Sequence, residues 1–245
     1  MKHNGKRHLW HLLTGLATLF FLAGLVVFFY PVFSNWQFEN DVGQQKEIFE
    51  QQVQQALEDS TQTDTPSLPF EALYQELDRR NKTLYAEKQK DLKDPFSYEQ
   101  PDISLEAYGL PGNTIGFISI PKMDVELPIL LGANTENMKH GAVHLTETSY
   151  PIGGESTNCV LAAHRGSSRG RMFRDIEELE IGDLIYIRNF RETLTYRVSE
   201  LRIISPTDIQ DLLIQDGRDL VTLITCHPYR YNYQRYVVYC ERVSP

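Results

Sequence analysis

From Gly109 onward the chain is written in short apolar, β-branched and aromatic runs divided by Gly, Pro or charged turns, and this texture limits the fold more than any other feature. Ile115–Ile120, Leu127–Leu131, Asn158–Ala162, Asp183–Ile187, Thr193–Val198 and Leu201–Ile204 each read as a strand. Two more lie in the stretch from Val221 to Tyr239, parted by a break containing Pro228 and Asn232. Only Met172–Leu179 and Asp208–Leu213 look like helical turns. Many short strands with few helices predict a closed β-barrel or a sandwich with small helical insertions.

The last two strands place a cysteine and an arginine at facing ends. Val221-Thr-Leu-Ile-Thr-Cys226 closes the first, and Arg235 opens the second. The thiolate is the nucleophilic form of cysteine, and a nearby guanidinium lowers the cost of forming it. The pair therefore suits acyl transfer.

With 245 residues, 41% of them hydrophobic and 23% charged, the chain is long enough for one sizeable domain with accessory segments. Its formal net charge is −9, yet Lys2, Lys6 and Arg7 are the only charges before residue 34, so residues 34–245 carry 21 Lys and Arg against 33 Asp and Glu. Such an acidic body disfavours nucleic acid and anionic lipid surfaces as partners. Cys159, Cys226 and Cys240 are too few and too scattered for a disulfide framework or a zinc site. At least one must remain a thiol.

The basic residues 2–8 precede an almost wholly apolar run from Leu9 to Phe33. Its core, Leu12 to Tyr30, covers about 30 Å as a helix, roughly the hydrocarbon thickness of a bilayer. Lys2, Lys6 and Arg7 would hold the N-terminus in the cytoplasm. The run reads as an uncleaved anchor rather than a signal peptide, because the exit Tyr30-Pro-Val-Phe-Ser-Asn-Trp36 offers no small-x-small cleavage site.

Between Phe38 and Asp59, Val42, Phe49, Val53, Ala56 and Leu57 recur at helical spacing. A second helical run from about Pro69 to Leu92 carries Leu73, Leu77 and Leu84 on one side. These helices suit either a stalk or packing against the main domain. Asp94-Pro95-Phe96 ends the second run, since proline disfavours helical geometry in the residue before it. The expected segments are thus a tail over 1–8, an anchor over 9–33, a helical region over 34–92, a loop over 93–106 and the β-domain over 107–245.

A nucleophilic cysteine needs a proton carrier. His227 follows Cys226 directly, so a continuing strand turns it to the opposite face. His164 ends the apolar strand Cys159-Val-Leu-Ala-Ala-His164 before Arg165 and Gly166, a position equally compatible with a structural histidine and a catalytic one. His140 and His144 lie four apart, but Gly141 and the lack of a third ligand argue against a metal site. Arg165, Arg169 and Arg171 rival Arg235 as the cation, although their Gly/Ser-rich loop suggests mobile surface residues. Cys159 and Cys240, set among apolar strand residues, read as buried small hydrophobes.

Thr222-Leu-Ile-Thr-Cys226 resembles the TLxTC signature of the sortases. Arg235 falls where their essential arginine lies on the next strand, and Ala-Ala-His164-Arg-Gly resembles the strand delivering their histidine. The similarity runs from about Ile115 to Val243. Asp94-Pro95-Phe96 is similar to the Asp-Pro-aromatic lid of class C, pilus-assembling sortases, as is the Tyr-Pro-x-x-Ser-Asn exit from the membrane. Two departures stand beside this. Class C members usually carry a second span after the barrel, whereas the sequence given ends at Pro245, and Asn232-Tyr233-Gln234 stands where relatives commonly place a histidine next to the arginine.

The resemblance implies an eight-stranded β-barrel and a two-step transpeptidation needing no cofactor or metal. Cys226 would attack the Thr-Gly carbonyl of an LPXTG-like sorting signal. His164 would act as general acid and base, and Arg235 would bind the oxyanion and orient substrate. The acceptor would be a pilin lysine in a pilus enzyme, or a peptidoglycan-precursor amine in a housekeeping one, at the outer face of a Gram-positive cell. In the lid, Asp94 would pair with Arg235 and Phe96 would cover Cys226. A non-catalytic β-barrel scaffold or adhesin with a merely buried Cys226 is the alternative outside enzymes.

Overall fold

The computed structural model describes residues 3–61, 68–90, 92, 100–166 and 170–243. Eight strands close into a barrel: β1 Thr114–Ile120, β2 Val125–Leu131, β3 Ala142–His144, β4 Thr157–Ala162, β5 Leu184–Asn189, β6 Thr193–Ile204, β7 Asp219–His227 and β8 Gln234–Arg242. The order around it is β1-β2-β3-β4-β7-β8-β6-β5, and β5 pairs back onto β1. Closure leaves no strand edge unpaired along the ring. Only β2–β3 and β4–β7 run parallel. Each pair is joined by a crossover rather than a hairpin.

Burial follows the sequence texture. β5 alternates half-buried with buried residues, as a strand with one wet face should, whereas every residue of β4 is buried. The inner face of β4, β7 and β8 contributes Cys159, Leu161, Val221, Leu223, Val238 and Cys240 to the main core. Their outer face carries Val160, Ala162, Ile224, Val237 and Tyr239, which form a second core under Leu212. Strands buried on both sides lose the polar-apolar alternation and read as continuous apolar runs.

The strand count of eight arises differently from the sequence reading. Thr193–Val198 and Leu201–Ile204 are one strand, in which the register shifts between Val198 and Glu200. The polar Ser199-Glu200 step that looks like a turn is a bulge. The missing eighth strand is β3, three residues long and without a legible period. The two expected helical turns are 3-10 segments, Ile176–Glu178 and Ile209–Leu212.

The helix α1, His3–Thr61, is a single 59-residue element that continues through Pro31. Its first half is long and apolar enough to cross a membrane, and its most apolar stretch has no part buried in the protein. The second half lies on the barrel, which resolves the choice between stalk and packed helix. Val42, Phe49 and Val53 are buried there, and Phe49 meets Phe117 edge to face at 5.6 Å between centroids. Each such side chain removed from water contributes roughly 2 kcal/mol. Arg188 donates twice to the Glu50 carboxylate, at 2.9 Å each, and Lys46 pairs with Glu126 at 2.5 Å. Helix α2, Glu71–Ala86, buries Leu73, Leu77 and Asn81, while Leu84 stays half-buried. Asn81 accepts from the Tyr150 N–H at 2.8 Å, fixing α2 to the barrel.

Candidate active site

Three neighbouring strands, β4, β7 and β8, bring the sequence candidates to one end of the barrel. Cys226 and Arg235 are Cα partners in the antiparallel β7–β8 ladder. Directly opposed residues share a face, so both side chains leave the sheet on its outer side with Ile224 and Val237. On the other flank of β7, Ala162 pairs with Ile224, the Ala163 N–H donates to the Ile224 carbonyl at 3.3 Å, and the Thr225 hydroxyl donates to the Ala163 carbonyl at 2.7 Å. Carrying that register two residues on brings His164 level with Cys226. The cysteine thus occupies the central strand, with the histidine to one side and the arginine to the other.

Burial differs among the three. Cys226 and His164 are half-buried, whereas Arg235 is only 5% exposed. Its Nη1 donates to the carbonyls of Asn232 at 2.9 Å and Gln234 at 3.1 Å. The residues standing where relatives often place a histidine therefore hold the guanidinium through their backbone. Burial pushes the His164 imidazole below the ordinary histidine range. At neutral pH it is consequently a neutral ring, able to accept a proton.

The segment from Ser205 to Arg218 walls the outer face. Asn158 Nδ2 donates to the Leu212 carbonyl at 2.9 Å and its Oδ1 accepts from the Thr222 hydroxyl at 2.7 Å, while the Tyr239 hydroxyl donates to the Asp211 carbonyl at 2.7 Å. These buried polar contacts fix the wall without using any of the three candidates.

Behind the site lies a network that the sequence reading missed. Arg165 is 7% exposed, not a mobile surface residue. It pairs with Glu177, and its Nη1 donates to His227 Nδ1 at 2.8 Å. His227 Nδ1 also lies 3.1 Å from Glu177 Oε1, and its ring tilts against Tyr236. Arg165 follows His164 and His227 follows Cys226, so the network ties together the neighbours of two candidates. The Gly/Ser content after Arg165 hid it. A glutamate in the following 3-10 turn was the only available signal. Arg171 is exposed, and Arg169 lies outside the described residues, as do Asp94, Pro95 and Phe96.

The other histidines and cysteines separate cleanly. His140 caps a surface turn and pairs with Glu136 at 3.1 Å, while His144 is buried in β3, stacked on Tyr150 at 4.7 Å. Desolvation lowers His144 to about 4. The two do not share a face of one element. Cys159 and Cys240 each pair with Val221 from opposite sides of β7, which sets them about 10 Å apart, too far for a disulfide. Burial pushes both thiols well up, leaving them inert.

Residues 118–243 match the sortase domain family, from within β1 to just past β8. The chain is 33% identical over 156 residues to Sortase A of Bacillus anthracis, a match spanning 63% of this chain and 72% of that relative. The chain belongs to the sortase family. Its activity class is therefore that of a cysteine transpeptidase, and the scaffold alternative falls. Sortase D of Bacillus subtilis is 30% identical over 136 residues, spanning 54% of this chain and 66% of that relative. Among solved structures, Streptococcus pneumoniae Sortase C superposes with a TM-score of 0.66 at 29% identity, covering 82% of this chain and 97% of that one. A pilus-related Sortase C of Group B Streptococcus gives 0.59 at 32% identity, covering 78% and 96%. The sortase barrel of this chain is thus similar in three dimensions to class C pilus enzymes.

Proposed function

We propose that the chain is a membrane-anchored, pilus-type sortase, in which Cys226 is the nucleophile, His164 the general acid and base, and Arg235 the oxyanion and substrate ligand. The observation supporting this reading is the strand register, in which Cys226 is the Cα partner of Arg235 and β4, paired with β7 as far as Ala162 and Ile224, leads into His164. His164 takes the thiol proton as Cys226 Sγ attacks the Thr carbonyl of an LPXTG-like signal, forming a C–S bond, and Arg235 holds the resulting oxyanion. The C–N bond to Gly then breaks, and His164 gives a proton to the departing amine. In the second half an incoming amine attacks the thioester and loses its proton to His164, and the thiolate leaves.

The acceptor in this reading is a pilin lysine, in keeping with the pilus enzymes among similar structures. α1 crosses the membrane once, with Lys2, Lys6 and Arg7 inside and the barrel outside. Asp94, Pro95 and Phe96 act as a lid over Cys226. A wall-anchoring role, with a peptidoglycan-precursor amine as acceptor, is the second reading, favoured by the identity to Sortase A of Bacillus anthracis.

The two are separated by competing acceptors. The full chain is incubated with a sorting peptide, a lysine-bearing pilin fragment and a peptidoglycan cross-bridge peptide. Isopeptide product on the lysine is expected. Product on the cross-bridge amine alone would establish the wall-anchoring role.

A further inference from the structure

The apolar run of α1 ends at Phe33, and five residues later, about 7.5 Å along the helix, Phe38 lies against the barrel. There it packs so closely on Gly170 that a Cβ at that position would fall 2.6 Å from the ring. The loop after β4 is therefore pinned near the level at which α1 would leave a bilayer. A cleft of about 460 Å³ opens between them, with Tyr30, Pro31, Val32 and Asn35 on one wall and Arg171 and Arg174 on the other.

The charge in this cleft is unbalanced. Among the described residues no carboxylate forms an ion pair with Arg171 or Arg174, and the Nε of Arg174 is buried without a hydrogen-bond partner among them. Glutamates neutralise Arg80, Arg165, Arg188 and Arg218 elsewhere in the same acidic chain. The cleft on the other flank of α1 lacks this surplus. Its Lys139 and His140 both pair with Glu136, and Asp41 lines it as well. Tyr30 and Trp36, 58% and 60% exposed, are amphipathic aromatics of the kind that settle at headgroup depth.

We propose that this cleft seats the phosphate of a membrane-lipid headgroup between Arg171 and Arg174, so that the barrel rests on the bilayer beside its own anchor. A guanidinium is suited to this because its planar donors match phosphate oxygens. Net charge averages over faces, whereas the charged side chains lining this cleft, Arg171 and Arg174, are both cationic. The contact also bears on the candidate site. The Phe173 N–H donates to the His164 carbonyl at 3.0 Å, and Arg174 packs over Gly166, two residues beyond His164. Lipid bound here seats the loop that carries the histidine.

The inference rests on α1 spanning the membrane, and one experiment addresses both. The full chain is reconstituted in phosphatidylcholine nanodiscs containing phosphatidylglycerol with a photoactivatable headgroup, and crosslinking to the 170–174 segment is quantified. Arg171→Gln/Arg174→Gln should lower the yield roughly fivefold per charge removed, the scale of one basic residue at an anionic surface. Arg171→Lys/Arg174→Lys should keep most of it, which separates charge from folding. Equal yields in all three chains would overturn the proposal. Protection of 170–174 from hydrogen exchange by inorganic phosphate in detergent, without any lipid crosslink, would overturn its assignment to lipid. Extraction of the chain from bilayers by alkaline carbonate would overturn the anchor and this proposal together.

Discussion

Cys226 and Arg235 face each other on the penultimate rung of the β7–β8 ladder, where the paired strands are about to part. The ladder fixes their separation, and the Asn232 and Gln234 carbonyls fix the guanidinium. In the proposed role of oxyanion ligand, a donor preorganised in this way needs no rearrangement as charge develops on the substrate oxygen. Arg235→Ala is expected to lower kcat/KM by about 10² to 10³, the loss typical of one oxyanion donor. Arg235→Lys should recover only part of it, because an ammonium lacks the planar fork. Steady-state kinetics on a sorting peptide, with thermal melts to confirm folding, reads both.

Arg165 ties down His227, the neighbour of Cys226, and itself follows His164, so it is expected to act on the rate through these neighbours. Arg165→Met removes the ties to Glu177 and His227 while His164 and Cys226 keep their side chains. Glu177 is half-exposed and rehydrates, so the stability cost should be modest, about 1 to 2 kcal/mol. The rate should suffer more, by tenfold to about 10², as expected when reacting groups drift by a fraction of an ångström. The expected pattern is a fall in kcat with KM nearly unchanged, partly rescued in Arg165→Lys. A change in KM alone would assign Arg165 to substrate binding instead.

His144 makes the fold acid-sensitive. Its folded value of about 4 lies below the ordinary 6.5, so the unfolded chain binds the extra proton more readily. Stability from this group is complete above about pH 6.5 and is lost as pH falls toward 4, by on the order of 3 kcal/mol. The groups facing it are the Thr148 and Ser149 carbonyls, the Thr148 hydroxyl and the Tyr150 ring, with Asp102 bonded to Tyr150 beyond. His144→Phe should be less stable at pH 7 yet flatter between pH 6.5 and 4. Thermal unfolding across that range measures the slope.

The lid proposal has a direct readout. Cys159 and Cys240 are buried and inert, so a thiol-reactive probe reports on Cys226. Labelling in an Asp94→Ala/Phe96→Ala chain should be faster than in the native one. Equal rates would argue against a covering lid.

What the sequence revealed depended on how locally each feature is determined. The strands of β7 and β8, with Cys226 and Arg235 at their ends, are legible because period, β-branching and a turn break all lie within twenty residues. The closed strand order is not, since the parallel β4–β7 pairing that brings His164 level with Cys226 joins residues 62 apart. β3 is too short to show a period, and the β6 bulge mimics a turn. Arg165 misled because loop composition says nothing about a partner twelve residues away in Glu177. The long helix reads in the sequence as two segments because its two halves meet different surroundings, exposed apolar side chains first and the barrel later.

The central claim is that Cys226 forms a thioacyl intermediate. Its most direct test is intact-protein mass spectrometry of the full chain after incubation with an LPXTG-like peptide, without an added acceptor. The account predicts a mass increase equal to the peptide's LPXT portion, mapped to Cys226, absent in Cys226→Ala and strongly reduced in His164→Ala. No adduct, even in the Asp94→Ala/Phe96→Ala chain, or an adduct mapped to another residue, would contradict it.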